Sequence, residues 1–132
     1  MKRVEVVAAV IRNDRNILCV QRPQSKLNYI SKKFEFPGGK IEQGESKEQA
    51  LVRELNEELN LKVTVGDFLL TVVHQYPDFE LTMHSFIVWI DHRDIILNEH
   101  IAKEWLLVEE LLNLDWAAAD LPIVHKLMEN VR

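Results

Sequence analysis

Residues Gly38 to Leu61 read GGKIEQGESKEQALVRELNEELNL, and the way this stretch folds decides how the flanking chain is read. It opens rich in glycine and then turns helical. Ser46-x-x-Gln49 fits a capping box, which places the helix N-cap at Ser46. At about 100° per residue, Leu51, Val52, Leu55 and Leu59 cluster on one side, which is expected to pack inward. Glu54, Glu57 and Glu58 share the other side, expected to face outward. Like charges at that spacing repel by about 0.2–0.5 kcal/mol per pair. Oxygen ligands stacked on a helix face suit a hard cation such as Mg²⁺, which neutralises them. Asn60 ends the helix, where asparagine is second only to glycine as a left-handed cap.

Working outward, Val4 to Ile11 and Ile17 to Val20 read as strands joined by the turn Asn13-Asp14-Arg15-Asn16. Arg22 to Lys33 is a polar loop with three lysines and one arginine, which serve either solubility or the capture of an anion. Phe34 to Phe36 is a short strand delivering Pro37-Gly38-Gly39. Leu61 to Val65 alternates as a strand does, before a break at Gly66-Asp67. Phe68–Gln75 and Glu80–Asp91 make a hairpin. Glu99 lies in a polar loop, Glu104 to Val108 is a last strand, and Glu109 to Asn113 a helical turn. Leu121 to Val131 is a C-terminal helix, with Pro122 tolerated in its first turn. Strands mixed with few helices predict a single α/β (α+β) domain over residues 1–132, layered around a mixed β-sheet.

The composition, 47% hydrophobic and 28% charged, is that of an ordinary globular protein. A formal charge of −5 argues against stable duplex nucleic-acid binding, which relies on Lys and Arg neutralising phosphates. It leaves a nucleotide substrate open, because a bound metal reverses the local field. The single cysteine, Cys19, is read as a buried inert thiol and fits a reducing compartment. Neither a signal peptide nor a transmembrane stretch is visible, so a cytoplasmic protein without a membrane partner is expected. His74, His84, His92, His100 and His125 share no ligand spacing and are read as surface or satisfied core residues. Trp89, Trp105 and Trp116 are read as core anchors.

The central stretch resembles the Nudix box, G-x5-E-x7-R-E-U-x-E-E-x-G-U with U aliphatic. Gly39, Glu45, Arg53, Glu54, Leu55, Glu57, Glu58 and Leu61 occupy its fixed positions, and Asn60 replaces its last glycine. The departure lies at the helix terminator, outside the carboxylate set. The resemblance runs through most of the chain. EFPGGKIE (Glu35 to Glu42), QALVREL (Gln49 to Leu55) and Glu99-x5-Trp105 look like the MutT branch, and AAADLPIVHKL resembles its bacterial CTP pyrophosphohydrolase relatives.

The resemblance implies an α/β/α sandwich. It also implies a Mg²⁺-dependent nucleoside triphosphate pyrophosphohydrolase, with Mn²⁺ able to substitute, acting in nucleotide-pool sanitation on a nucleotide of 8-oxo-dGTP or CTP/5-methyl-dCTP type. Glu54, Glu57 and Glu58, joined by the Gly38 carbonyl and Glu99, are the implied metal ligands. Glu54 is the candidate base or water-orienting residue, and Glu99 the competing one. Arg53 is expected to hold a box carboxylate in place, and Glu45 to brace the loop. Lys40 either meets phosphate or pairs with Glu42. Arg22 is implied at the phosphates, Glu35, Phe36, Pro37 and Gly38 along the nucleotide, and Tyr76 near the base; Phe36 as plain core is equally open.

Asp120 falls where MutT has an asparagine that reads the base. An ionised carboxylate only accepts hydrogen bonds, which favours cytosine through its amino group or guanine through N1–H and its amino group. The competing reading makes Asp120 an N-cap of the following helix. Two other functions stay open: a Nudix hydrolase of ADP-ribose or a nucleotide sugar, and a non-catalytic nucleotide-sensing module. Monomer and homodimer are both open.

Overall fold

The structure is a computed structural model and describes residues 2–129. Its centre is a strand buried by its own sequence: Val7, Ala8, Ala9, Val10 and Ile11 are all 1% exposed or less. This strand, β1 (Lys2–Asn13), turns at Asp14, whose φ of 58° is left-handed, into β2 (Asn16–Gln21). β3 (Phe34–Glu35) pairs with β2, and β4 (Gly38–Lys40) lies antiparallel to β1 over Val6 to Ala8. Helix α1 (Lys47–Leu59) follows, then β5 (Phe68–Gln75), β6 (Phe79–Trp89) and β7 (Ala102–Leu106). β6 runs parallel to β1 along its length, while β5 on β6 and β7 on β2 are antiparallel. The sheet is therefore mixed, ordered β3-β2-β1-β6-β5, with β4 and β7 added at the side of that path. Two 3₁₀ segments, Val108–Asn113 and Ala118–Asp120, lead into α2 (Leu121–Met128).

Alternation along the strands sorts the core onto two faces. Val7, Ala9, Ile11, Phe86 and Val88 meet Leu51, Leu55 and Leu59 of α1. Ala8, Val10, Met83, Leu111, Ile123 and Leu127 pack on the α2 side. This is the sandwich expected from the sequence. The capping box forms as read: the Gln49 amide N–H donates to Ser46 Oγ at 3.0 Å, and the Ser46 N–H to Gln49 Oε1 at 2.9 Å. Asn60 takes the left-handed conformation at φ 55°. Cys19 is fully buried, and burial pushes its thiol up to about 12.

Several expectations need correction. Leu61 to Val65 forms no strand. Leu61, Val63 and Val65 do face the α1-side core, which explains their alternation. Backbone bonds to β6 come just after it, where Gly66 donates to the Ile87 carbonyl and Ile87 donates to the Asp67 carbonyl. Gly38–Lys40, read as loop, is a strand. The last strand lies two residues early, at Ala102–Leu106. Val52 is 39% exposed: it sits at the edge of the apolar face, where the helix already turns from the sheet. Trp89 is no core anchor. It ends β6 at 62% exposure, with the Arg12 guanidinium 5.0 Å above its ring. Asn130 and Val131, assigned to the last helix, lie outside the described residues. Among the described residues no helix is long and apolar enough to cross a membrane.

Burial of the leucine face should outweigh the cap in holding α1. Ser46→Ala is expected to lower unfolding stability by about 1 kcal/mol, and Leu55→Ala by about 2–5 kcal/mol, in urea titrations. Equal costs would contradict this division.

Candidate active site

Gly38 and Gly39 are selected by contact. A Cβ on Gly38 would lie 2.8 Å from the Ala8 Cα and overlap the Val7 carbonyl. One on Gly39 would lie 2.6 Å from Glu54 Oε1, within its carboxylate. Gly38 lets the backbone of β4 lie against β1, and Gly39 leaves the space into which α1 sets the Glu54 carboxylate.

Arg53 ties this strand and loop to the helix. Its Nε and a terminal nitrogen donate to the two Glu45 oxygens at 2.7 and 2.9 Å, a bidentate pair. It also donates to Glu54 Oε1 at 3.0 Å, Glu57 at 3.3 Å and the Lys40 carbonyl at 2.9 Å. The guanidinium, first through its bonds, holds the Glu45 carboxyl down to about 2. Arg53 thus bonds Glu45 in the loop and Glu54 on the helix at once.

The three helix carboxylates do not share one environment. Glu57 is exposed, Glu54 is half-buried, and Glu58 is 5% exposed, so the outward-facing reading fails for Glu58. The cause is rotation: Glu58 points toward β4, where its Oε1 accepts the Gly38 N–H at 3.1 Å. Burial first, then contact with Glu99 and the charge of Glu35, push the Glu58 carboxyl up to about 10. Glu54 is raised too, by burial, against the opposing pull of Arg53.

Glu58 and Glu99 line a cavity of about 750 Å³. Among the described residues no three acidic, His or Cys side chains converge as a ready metal-ligand cluster. Glu54 and Glu57 are instead drawn to Arg53. The donor set nevertheless fits a hard divalent cation: it is all oxygen, and the buried Glu58 beside Glu99 is the kind of like-charged pair that such an ion relieves.

The same cavity is also lined by Arg22, Glu35, Phe36, Tyr76 and Asp120. Arg22 donates to Glu35 Oε1 at 3.1 Å. Asp120 Oδ2 accepts the Phe36 N–H at 2.9 Å, and its side chain makes no helix-cap bond. Asp120 does stand at the N-cap position of α2, but its side chain is spent on Phe36 and not on the cap. Burial, then the charge of Glu35, raise the Asp120 carboxyl well above the usual range. Phe36 stacks on buried Trp116 at 4.7 Å, so it is core and cavity wall at once. Tyr76 is buried, its ring stacked on Tyr29 and its hydroxyl accepting the Ala119 N–H at 3.0 Å. Pro37 is buried with its carbonyl on the Ala9 N–H, bonded to β1. Lys40 reaches the cavity rim, while Glu42, its alternative partner, lies 3.3 Å from Arg53. The loop from Arg22 to Lys33 presents Leu27 and Ile30 to the cavity; Lys33 pairs instead with Asp115 at 2.9 Å.

Sequence reasoning missed His100. It is 8% exposed, lines the cavity, and its Nε2 lies 2.9 Å from Glu35 Oε2. No spacing signal exists for a contact between residues 65 positions apart; only the fold supplies it.

The NUDIX domain profile matches residues 1–127. The chain belongs to the Nudix family, and is a hydrolase of phosphoric anhydrides. It is 40% identical over 129 residues to the CTP pyrophosphohydrolase of Escherichia coli K12, covering 97% of this chain and 93% of that one. It is 32% identical over 127 residues to the 8-oxo-dGTP diphosphatase of the same strain, covering 96% and 98%. The solution structure of the E. coli ORF135 protein superposes with a TM-score of 0.84 at 38% identity, covering 98% of this chain and 91% of that one.

The raised Glu58 carboxyl has a stability consequence. Its folded pKa lies above that of a free glutamate, so the folded state binds more protons than the unfolded one between about 4.5 and about 10. This contribution is present below that window and is lost as pH rises through it. In chelator at pH 8, Glu58→Gln should therefore raise the melting temperature by a few degrees. A lowered melting temperature would contradict the assignment.

Proposed function

We propose that this MutT-type nucleoside triphosphate pyrophosphohydrolase cleaves a pyrimidine triphosphate of the CTP kind, ribo or deoxy, to the monophosphate and pyrophosphate. One observation carries the reading: a single cavity of about 750 Å³, within the range of small-ligand sites, is lined by the acids Glu58 and Glu99 and also by Arg22, Glu35, Tyr76 and Asp120. A nucleoside triphosphate has the matching polarity, a charged tail needing a cation and a base offering donors.

Glu54, Glu57, Glu58, Glu99 and the Gly38 carbonyl would hold Mg²⁺, or Mn²⁺ in its place. Such a cation neutralises phosphate charge and makes water acidic enough to attack. Arg22 and Lys40 supply positive charge to the phosphates. Glu54 accepts the proton of the attacking water: Arg53 holds its Oε1, which leaves Oε2 for that task. Asp120 accepts from the exocyclic amino group of the base, and the 40% identity to a CTP pyrophosphohydrolase supports cytosine over guanine. Tyr76 and Phe36 supply the apolar wall. Removal of modified nucleotides from the pool is the role this chemistry serves.

A panel of CTP, dCTP, 8-oxo-dGTP and ADP-ribose, with Mg²⁺ and product identification, tests this. Cytosine triphosphates should give the highest kcat/KM and release pyrophosphate. Glu54→Gln should lower kcat on the order of 10²–10⁴-fold. Asp120→Asn should reduce the preference for cytosine by about tenfold or more. Turnover of ADP-ribose alone, or nucleotide binding without product, would refute the reading.

A further inference from the structure

His100 is buried without serving as inert core. Its side chain is only 3% exposed, and its buried Nδ1 has no hydrogen-bond partner among the described residues. An orphaned polar nitrogen is a poor way to fill space, since an apolar side chain would pack there without that penalty. Nor is its side chain required to hold its own loop. The backbone there is already tied down: the Asn98 N–H and Nδ2 donate to the Glu58 and Glu57 carbonyls at 2.9 and 2.8 Å, and the Ile101 N–H to the Gln21 carbonyl at 3.0 Å. What the imidazole does reach is Glu35, at 2.9 Å. A carboxylate only accepts, so Nε2 carries the proton of that bond.

We propose that His100 is a positioning residue for nucleoside binding, which fixes the Glu35 carboxylate in the cavity so that its remaining acceptor sites meet the donors of the bound nucleoside. Glu35 stands on a strand of only two residues, where its long side chain has several rotamers open to it. Arg22 takes one oxygen at 3.1 Å and His100 the other at 2.9 Å, so the carboxylate is pinned from two sides. A carboxylate has about four acceptor sites, and the two contacts leave about two for a ligand. Pinning it before the ligand arrives removes an ordering cost from binding. The proposal rests on the nucleoside triphosphate reading of this cavity.

The effect should fall on binding and spare turnover, because among the described residues Glu35 bonds Arg22 and His100 and not Glu54, which is held by Arg53. Steady-state kinetics with CTP and Mg²⁺ are paired with calorimetric titration of CMP in chelator, which reads the nucleoside end without metal. His100→Leu is expected to raise KM and the CMP Kd about tenfold, with kcat within about threefold of the parent. His100→Gln, whose amide can still donate to Glu35, should restore most of the loss. With Glu35→Gln in the background, His100→Leu should add little further. Unchanged KM and Kd in a folded His100→Leu protein would overturn the proposal. So would a fall in kcat at constant KM, which would assign His100 to the Glu99 loop, or full additivity with Glu35→Gln. If His100→Leu does not fold, His100→Asn, too short to reach Glu35, replaces it under the same criteria. Absence of triphosphate turnover in the parent protein would refute the proposed reaction, whereas the CMP titration would still judge His100.

Discussion

One guanidinium holds this site in shape. Arg53 is the point at which α1, the strand β4 and the loop from Lys40 to Glu45 are bonded together, through Glu45, Glu54, Glu57 and the Lys40 carbonyl. The bidentate Glu45 contact gives direction as well as attraction. Without Arg53, the loop that returns from β4 to the helix would keep only neutral or local bonds, such as Ile41 N–H to the Glu5 carbonyl and the Ser46–Gln49 box. The glycines complete the constraint, since Gly39 is what lets the Glu54 carboxylate lie against the strand. Packing of leucines against β1 supplies the stability on which this arrangement is placed.

The same geometry works against stability at the site itself. Glu58 and Asp120 are carboxyl groups buried at 5% and 4% exposure, each raised above its ordinary range by desolvation and by neighbouring acids. A fold under pressure only to be stable would not place them there. They line one cavity, and the charge of Glu35 acts on both. Perturbed groups gathered in a cavity are what catalytic and recognition sites require.

The helix, its cap and its terminator were legible because each rests on a contact between near neighbours. So were the hairpin and the two-faced alternation of β6, where Leu81 and Met83 go one way and Phe86 and Val88 the other. Leu61 to Val65 misled because alternation reports a buried face and not a hydrogen-bonded partner. Glu58 misled because a helix face is about 100° wide, and one of its carboxylates rotates under β4 while another stays in solvent. Trp89 misled because its type suggests core, whereas its place at a strand end decides its exposure. The link from Asp120 to Phe36 and that from His100 to Glu35 span 84 and 65 residues. Such contacts leave no local pattern.

If Arg53 orders the carboxylates that would hold a divalent cation, its removal must weaken binding of that ion. Mn²⁺ titration of the parent protein and of Arg53→Ala, followed by electron paramagnetic resonance, addresses it most directly, with circular dichroism confirming that both are folded. The account predicts that Mn²⁺ affinity falls about 10–100-fold in Arg53→Ala, as for the loss of a group that orients metal ligands. Unchanged affinity in a folded Arg53→Ala protein would contradict it.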